Sequence, residues 1–565
     1  MEAPAAEVNG AAARRRAEAW AVALLFVSCF LAVLLTTNDY GPTYDEPHYV
    51  SAGVRYAEWW VRALRSPGEA LKREAIAETW GVNHEHPPLQ KMKSGFSQRW
   101  FGGILPGLMA ARLPSAAWFG LAACAIYLFV RRRWGVGSGL FGALAFVTMP
   151  RVAAHAHLVA LDMPITAWFF VAAALMAEAM RRRSWGWAAV AGAAFGVALS
   201  AKVNAFFLPV LLIPWALIWH RREWPKLVVA LALIGPVVFF ALWPWLWIAP
   251  AAHFREYLAF HFRHAAYNVW YLGKLYQYAP WHYPFVVTAV TTPAVLLGLA
   301  VAGLARCRPR RGWTAEEGLL ALGLVVTLAP SALPSSPKYN GERLFLPAFA
   351  FVAALAGVGF GWIEGHIAVR NRARGDGQRI AMWLTALAAV ALLMPSARAT
   401  AMIHPYGLAY YNALVGGVRG AGKRGFETVY WGQVYKEAPP FLNAAPEMRP
   451  RVLVVPKGCI YLLELQQQAG ALRPDVQFTA EEAEAGSVDY VVFQCMQSDF
   501  TELCWRLYRS AEPAYEVALE GTPLLVIYDR EAVAGVMRER ARSAPASAET
   551  ERREMKRPTR NAAGS

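Results

Sequence analysis

Apolar runs of membrane-spanning length recur along this chain, and alternate breaks between them are loaded with arginine. The basic clusters are Arg14–Arg16, Arg131–Arg133, Arg181–Arg183, Arg221–Lys226, Arg306–Arg311 and Arg370–Arg379. A helix needs about 20 predominantly apolar residues to cross a bilayer. Runs of that order lie near residues 20–36, 110–130, 136–150, 164–180, 186–200, 204–220, 227–248, 283–304, 317–333, 345–363 and 380–398. The pattern is that of an α-helical polytopic membrane protein with about 11 transmembrane helices. Short loops rich in Lys and Arg stay on the cytoplasmic side. With the amino terminus inside, strict alternation puts all six clusters in the cytoplasm. Residues 37–109, 151–163, 201–203, 249–282, 334–344 and everything after about 399 then face the opposite side.

Composition excludes the competing classes. Of 565 residues, 56% are hydrophobic and 17% charged, with a mean hydropathy of +0.27; soluble proteins carry about 25% charged residues. The net charge of +16 would suit nucleic acid. Here it is spread over loop clusters, so topology accounts for it and no nucleic-acid partner is expected. The 23 tryptophans suit the membrane–water interface, as in Trp243-Pro-Trp-Leu-Trp247. The run Trp20–Thr36 follows a basic stretch as a signal peptide does. It lacks a small-residue cleavage site and leads directly into Asn38-Asp-Tyr40, so it reads as a retained span.

Four segments follow: a cytoplasmic stretch at 1–19, a transmembrane domain at 20–398 with the long outer loop 37–109, an extracytoplasmic α/β domain at 399–537, and a disordered tail at 538–565. Strand-like runs at Arg451–Pro456, Val488–Gln494 and Pro523–Tyr528 alternate with helical stretches such as Tyr461–Gly470. Cys29, Cys124 and Cys307 sit in or beside apolar segments, while Cys459, Cys495 and Cys504 fall in the polar region. A Cys495–Cys504 disulfide is one pairing that the spacing allows. In the first outer loop, Glu46–Trp60 forms a helix that would lie along the membrane surface, ending in Trp59-Trp60.

The residues able to carry chemistry fall in the outer loops. Asp45-Glu46 follows the first span; the pair can cap a helix, or Asp45 can serve as a general base. His84-Glu-His-Pro-Pro-Leu89 offers His84 and His86; with Glu85 they could ligate metal, but the stiff Pro-Pro favours His86 as a hydrogen-bond donor or cation. Arg112, at the head of the second span, snorkels or meets an anionic headgroup. His155, His157 and Asp162 share a short loop, where Asp162 can also cap a helix. Lys202 interrupts a long apolar stretch and needs an anionic partner, such as a lipid phosphate. Lys338 and Arg343 occupy the last outer loop. Every one of these polar groups lies on one side.

These motifs resemble those of the lipid-phosphate-dependent glycosyltransferases of family 39. That family includes protein O-mannosyltransferases and lipid A aminoarabinose transferases, built on the GT-C membrane fold. The resemblance rests on Tyr44-Asp-Glu-Pro47, His86-Pro-Pro-Leu89, Arg112-Leu-Pro-Ser115, Asp162-Met-Pro164, Ala201-Lys-Val-Asn204 and Arg343-Leu-Phe-Leu-Pro347, over about the first 400 residues. Relatives often carry lysine where His86 stands. His404-Pro-Tyr406, Tyr410-Tyr-Asn412 and Tyr430-Trp-Gly-Gln433 resemble the tails of bacterial members.

The resemblance implies transfer of a single sugar from a polyprenyl-phosphate donor to a protein, lipid or glycan acceptor, with inversion. Asp45 and Glu46 would be catalytic, Asp45 as the general base and Glu46 orienting the acceptor or holding Arg112. Arg112, Lys202, His86 and Arg343 would face the donor phosphate, and His84, Asp162, His155 and Tyr44 would contact substrate. No metal or cofactor is expected. The expected location is a bacterial plasma (inner) membrane with a periplasmic site. A transporter or flippase of lipid-linked or anionic solutes is the rival, but transporters place ionisable groups near mid-membrane between related halves.

Overall fold

The computed structural model describes residues 3–263, 267–306, 312–371 and 377–538. The chain forms two compact units, Met1–Trp431 and Gly432–Ser565. Cys307, the core of the Arg306–Arg311 cluster, part of Arg370–Arg379 and the tail beyond 538 lie outside the described residues.

The first unit is a polytopic helical membrane domain. Among the described residues, seven helices are long and apolar enough to cross a membrane: Arg15–Asp39, Met109–Trp134, Asp162–Arg182, Arg221–Leu242, Ala315–Ala332, Pro347–Asn371 and Gly377–Ile403. Two helix pairs, Val136–Val147 with Pro150–Ala156 and Tyr283–Thr291 with Ala294–Arg306, are bent by 70° and 119°, and raise the number to nine if each is one span. Pro150 and Pro293 stand at the two breaks, where each removes a backbone donor and forces the preceding residue out of helical geometry. The runs expected at 186–200 and 204–220 form the shorter helices Trp185–Leu199 and Val203–Trp219. The first has 15 residues. That is about 23 Å of helix at 1.5 Å per residue, short of the roughly 30 Å hydrocarbon core. Length and apolarity thus support seven to nine spans among the described residues, where the sequence suggested about 11.

Pro347–Asn371 is the centre of the bundle. Every residue from Pro347 to Phe360 is buried, as a helix hydrophobic on all sides must be. Glycine lets its neighbours approach: a β-carbon on Gly359 would lie 2.1 Å from the Leu299 carbonyl oxygen. Gly377–Ile403 is the opposite case, with only 11% of its apolar window buried in protein, which suits a face toward lipid.

The outer segment is packed on protein along one face of the helix expected over Glu46–Trp60. Glu46–Arg65 crosses Leu89–Phe101 at Gly53 and Gly95, so closely that a β-carbon on Gly95 would lie 1.8 Å from the Gly53 oxygen. Trp59 is 1% exposed and donates its indole N–H to the Ala70 carbonyl at 3.0 Å. Tyr56 stacks on Trp80 at 4.2 Å. Lys91, also buried, donates to the carbonyls of Asn83 (2.5 Å) and His86 (2.7 Å), and so ties down the histidine segment. Farther on, β1 (Val269–Tyr271) and β2 (Lys274–Tyr276) form an antiparallel hairpin.

The second unit is α/β. Strands β3 (Arg451–Val455), β4 (Gln477–Thr479), β5 (Tyr490–Gln494), β6 (Tyr515–Leu519) and β7 (Thr522–Asp529) form one sheet in the order β4-β3-β5-β7-β6. β3 lies parallel to β4 and β5, while β7 is antiparallel to β5 and β6. The connection from β3 includes the helix Ile460–Gln468, as a parallel pair requires. The three strand-like runs of the sequence fall on β3, β5 and β7. Residues 399–431, grouped with this domain from composition, belong to the first unit. Cys495 and Cys504 are both buried and both free, so the disulfide that the spacing allowed is not formed.

Two stability measurements test this packing. Gly95→Ala should cost about 1–3 kcal/mol in a detergent melt, because the helices must separate. Gly298→Ala, with nothing within 4 Å of its β-carbon, should stay within about 0.5 kcal/mol. Burial pushes the Asp499 carboxyl up from 3.8 to about 6. The unfolded chain therefore ionises first, and stability falls as pH rises through that window. Asp499→Asn should raise the melting temperature near pH 7.5 and leave it unchanged near pH 4, with a gain of up to about 2 kcal/mol.

Candidate functional site

Asp45 and Glu46 are adjacent but point to different surroundings. Glu46 is fully buried and accepts backbone N–H bonds from Thr43 (2.9 Å) and Val159 (2.8 Å). It also takes Arg112 in a two-pronged pair, Nε to Oε1 at 2.8 Å and Nη2 to Oε2 at 2.7 Å. The remaining Arg112 N–H groups go to the carbonyls of Thr37 (2.7 Å), Tyr40 (3.0 Å) and Gly41 (2.9 Å). All five donors of the guanidinium are therefore engaged, the condition under which a buried ion pair is tolerated. Arg112 thereby locks the segment from Thr37 to Glu46, the pairing with Glu46 being one of the two roles expected for that acid.

Asp45 precedes its helix without making a side-chain cap bond. Its Oδ2 accepts from Arg343 Nη2 at 2.7 Å and from Trp431 Nε1 at 3.0 Å. The Arg343 guanidinium also lies 3.6 Å above the Trp431 ring and reaches Asp162 Oδ2 through Nε at 3.3 Å. Asp162 Oδ1 accepts from Lys202 Nζ at 2.5 Å, and His155 Nδ1 is 4.0 Å from Oδ2. Asp162 opens its helix, where the dipole favours a negative charge, but its carboxylate makes no cap bond and is spent on two cations. Burial disfavours charge on Arg343; Asp45 and Asp162 outweigh it and hold the guanidinium more firmly protonated than usual.

A second layer supports this cluster. Glu342 is fully buried, pairs with Arg151, receives the Tyr430 hydroxyl at 3.0 Å and lies 3.3 Å from His155 Nε2. Burial opposes its ionisation, but Arg151 and His155 prevail and hold its carboxyl below the usual 4.5. Arg151 also donates to the Tyr410 carbonyl (2.9 Å) and lies 4.6 Å over the Tyr411 ring. Two dipeptides thus interlock: Tyr430 grips Glu342, and Trp431 grips both Arg343 and Asp45.

Arg151, Glu342, Tyr430 and Trp431 were not among the expected site residues. The signals were faint: an acid beside Arg343, and the Tyr430-Trp pair in a segment that composition had assigned to another domain. His84 and His86 sit next to this cluster. His84 Nε2 meets Glu256 at 2.9 Å and Nδ1 the Gly81 carbonyl at 2.7 Å, while the His86 ring is 6.1 Å from Tyr49 and 5.8 Å from His261. A cavity of about 400 Å³ opens there, lined by His84, Glu85, Glu256, Phe260, Arg263 and Tyr267. The Tyr267 ring is 4.8 Å from Tyr339, in the loop that carries Arg343. Tyr44 donates its backbone N–H to the Trp431 carbonyl at 3.2 Å. Among the described residues, no group of three or more His, Cys, Asp or Glu is placed to hold a metal ion.

Comparison with known proteins extends the resemblance beyond short motifs. The family described as dolichyl-phosphate-mannose-protein mannosyltransferase matches residues 86–248, a stretch that includes Arg112, Arg151, His155, Asp162 and Lys202. The chain is similar to undecaprenyl phosphate-alpha-4-amino-4-deoxy-L-arabinose arabinosyl transferases of Pseudomonas fluorescens. One is 27% identical over 52% of this chain and 49% of its own length, another 29% over 60% and 58%. The chain therefore spans between about half and three fifths of the relatives it matches. Among solved structures it is similar to ArnT from Cupriavidus metallidurans bound to undecaprenyl phosphate, at 18% identity and TM-score 0.47, covering 89% of this chain and 97% of that one.

The Arg112 clamp is testable without any assay of activity. Lysine cannot reproduce five donors in a plane. Arg112→Lys should lower stability by about 3–5 kcal/mol, the cost of leaving a buried carboxylate poorly matched, read as loss of monodisperse protein on heating in detergent.

Proposed function

We propose that this protein is a membrane glycosyltransferase that moves one sugar from an undecaprenyl- or similar polyprenyl-phosphate donor to a hydroxyl or amine acceptor on a protein, lipid or glycan. The observation that carries the reading is a difference in exposure. Of the four clustered carboxylates, the side chains of Glu46, Asp162 and Glu342 are 0%, 1% and 0% exposed, whereas that of Asp45 is 30% exposed. Asp45 is the member of the group that an incoming acceptor can reach.

In this scheme Asp45 takes the proton from the acceptor as the acceptor oxygen or nitrogen bonds to the anomeric carbon. The bond from that carbon to the phosphate oxygen breaks, and polyprenyl phosphate leaves with the electron pair. A single displacement of this kind inverts the configuration. Arg343 and Lys202, 12% and 11% exposed at their side chains, face the charge that grows on the departing phosphate. The phosphate competes with Asp45 for Arg343, so donor binding loosens the base from its cation. Asp162 holds both cations in place, and Arg112 acts through Glu46 to set the heading of Asp45. The neighbouring cavity, with His84 on its lining, has the size of a small-ligand site, about 300–1,000 Å³. The arginine-rich loops support a site on the face away from the cytoplasm, which in a bacterial inner membrane is the periplasmic one.

The test uses purified protein in lipid, radiolabelled polyprenyl-phosphate sugars and fractionated membranes as the acceptor source. Wild type should move label onto an acceptor in excess chelator. Asp45→Asn should lower turnover by about 10²–10⁴-fold while retaining donor binding. Trp431→Phe, which keeps a ring under Arg343 but loses the indole N–H, should lower it by about tenfold. Normal turnover in Asp45→Asn would remove Asp45 from the role of base.

A further inference from the structure

A groove of about 850 Å³ lies at the end of the bundle opposite in charge character to the site, between the first helix, Met109–Trp134, Asp162–Arg182 and Trp185–Leu199. Its length is apolar, walled by Phe26, Leu121, Ala125, Ala174, Leu175 and Trp187. Its mouth is charged, with Arg15, Glu18, Arg132 and Glu178 on the lining. Only 17% of the apolar window of the first helix is buried in protein, so this wall of the groove is open to the bilayer.

The charges at the mouth do not cancel. Glu178, 4% exposed at its side chain, is shared by Arg132, Arg181 and Arg182, and Glu18 pairs with Arg131. On the lining two guanidiniums stand with two carboxylates, and behind it Arg131, Arg181 and Arg182 also pair with those carboxylates, so five guanidiniums share two. A surplus of positive charge at the headgroup end of an apolar crevice is the complement of one molecule type: a lipid with an anionic head. Basic pockets between spans on the cytoplasmic side hold such headgroups, and the Arg clusters themselves place this end at the cytoplasm.

We propose that this groove is a binding site for an anionic phospholipid, with its acyl chains along Phe26, Leu121 and Leu175 and its phosphate at Arg15 and Arg132. The site is separate from the Asp45 cluster and does not depend on the proposed transfer reaction. A lipid seated there joins the loosely packed first helix to the bundle, so the fold gains stability from the leaflet it sits in.

Delipidated protein is exchanged into detergent and titrated with dioleoylphosphatidylglycerol or dioleoylphosphatidylcholine, with retained lipid counted by native mass spectrometry and melting followed in parallel. Wild type should retain the anionic lipid about tenfold more tightly and melt higher with it. Arg15→Ala with Arg132→Ala leaves Arg181 and Arg182 to satisfy Glu178, and should abolish the preference while leaving the protein folded. Ala125→Phe with Ala174→Phe fills the groove and should remove tight retention of either lipid. Equal retention of the two lipids by wild type, or undiminished anionic-lipid binding in the filled variant, overturns the proposal. Displacement of the phosphatidylglycerol by equimolar undecaprenyl phosphate would overturn it too, by giving the groove a different occupant.

Discussion

A guanidinium suspended between Asp162 and Asp45 draws together chain segments 181 and 298 residues apart. Charges this deeply shielded attract strongly, but each also loses its hydration, and the balance is favourable only when every partner is matched. Arg343 and Lys202 offset Asp45 and Asp162 one for one, and Arg151 does the same for Glu342 behind them. The cluster is thus close to neutral at rest. In the proposed reaction an anionic headgroup contends with carboxylates already in place, which would couple recognition of a phosphate to the state of Asp45.

The backbone around the cluster makes that matching possible. The Gly53–Gly95 crossing brings Glu46–Arg65 against Leu89–Phe101 without intervening side chains, and the five-donor clamp on Glu46 then fixes where the first helical turn begins. Consecutive residues on a helix point about 100° apart. Locking the inner carboxylate therefore sets the direction of the outer one without help from a substrate. Preorganisation of this kind leaves binding energy available for the reacting groups.

Much of this was legible in the residues and some was not. Asp45, Asp162, Lys202 and Arg343 stood out because ionisable groups beside apolar runs demand partners, and in the structure they are one another's partners. Arg112 carried the same signal, and its partner is Glu46, the acid next to Asp45 that the motif reading offered as one possible holder. Trp431, Arg151 and Glu342 gave no such signal. An indole is common at a membrane interface, and a charged pair that cancels leaves no surplus in the sequence to notice. The expected runs at 186–200 and 204–220 became the shorter helices Trp185–Leu199 and Val203–Trp219, because hydropathy measures apolarity while the ends of a helix are set by turns and contacts. The sheet of the second unit was visible in its buried strands, whose continuous apolar runs have few other uses.

One residue of the cluster arrives late. Trp431 lies 386 positions after the carboxylate it supports. At a ribosomal pace of about 5–20 residues per second, the nascent chain exposes Asp45 for roughly 20–80 seconds before that indole exists. Through this interval the amino-terminal helices can insert and pack, but the polar centre is unfinished. Synthesis itself therefore acts as a timer, and only a chain translated past residue 431 holds an assembled site.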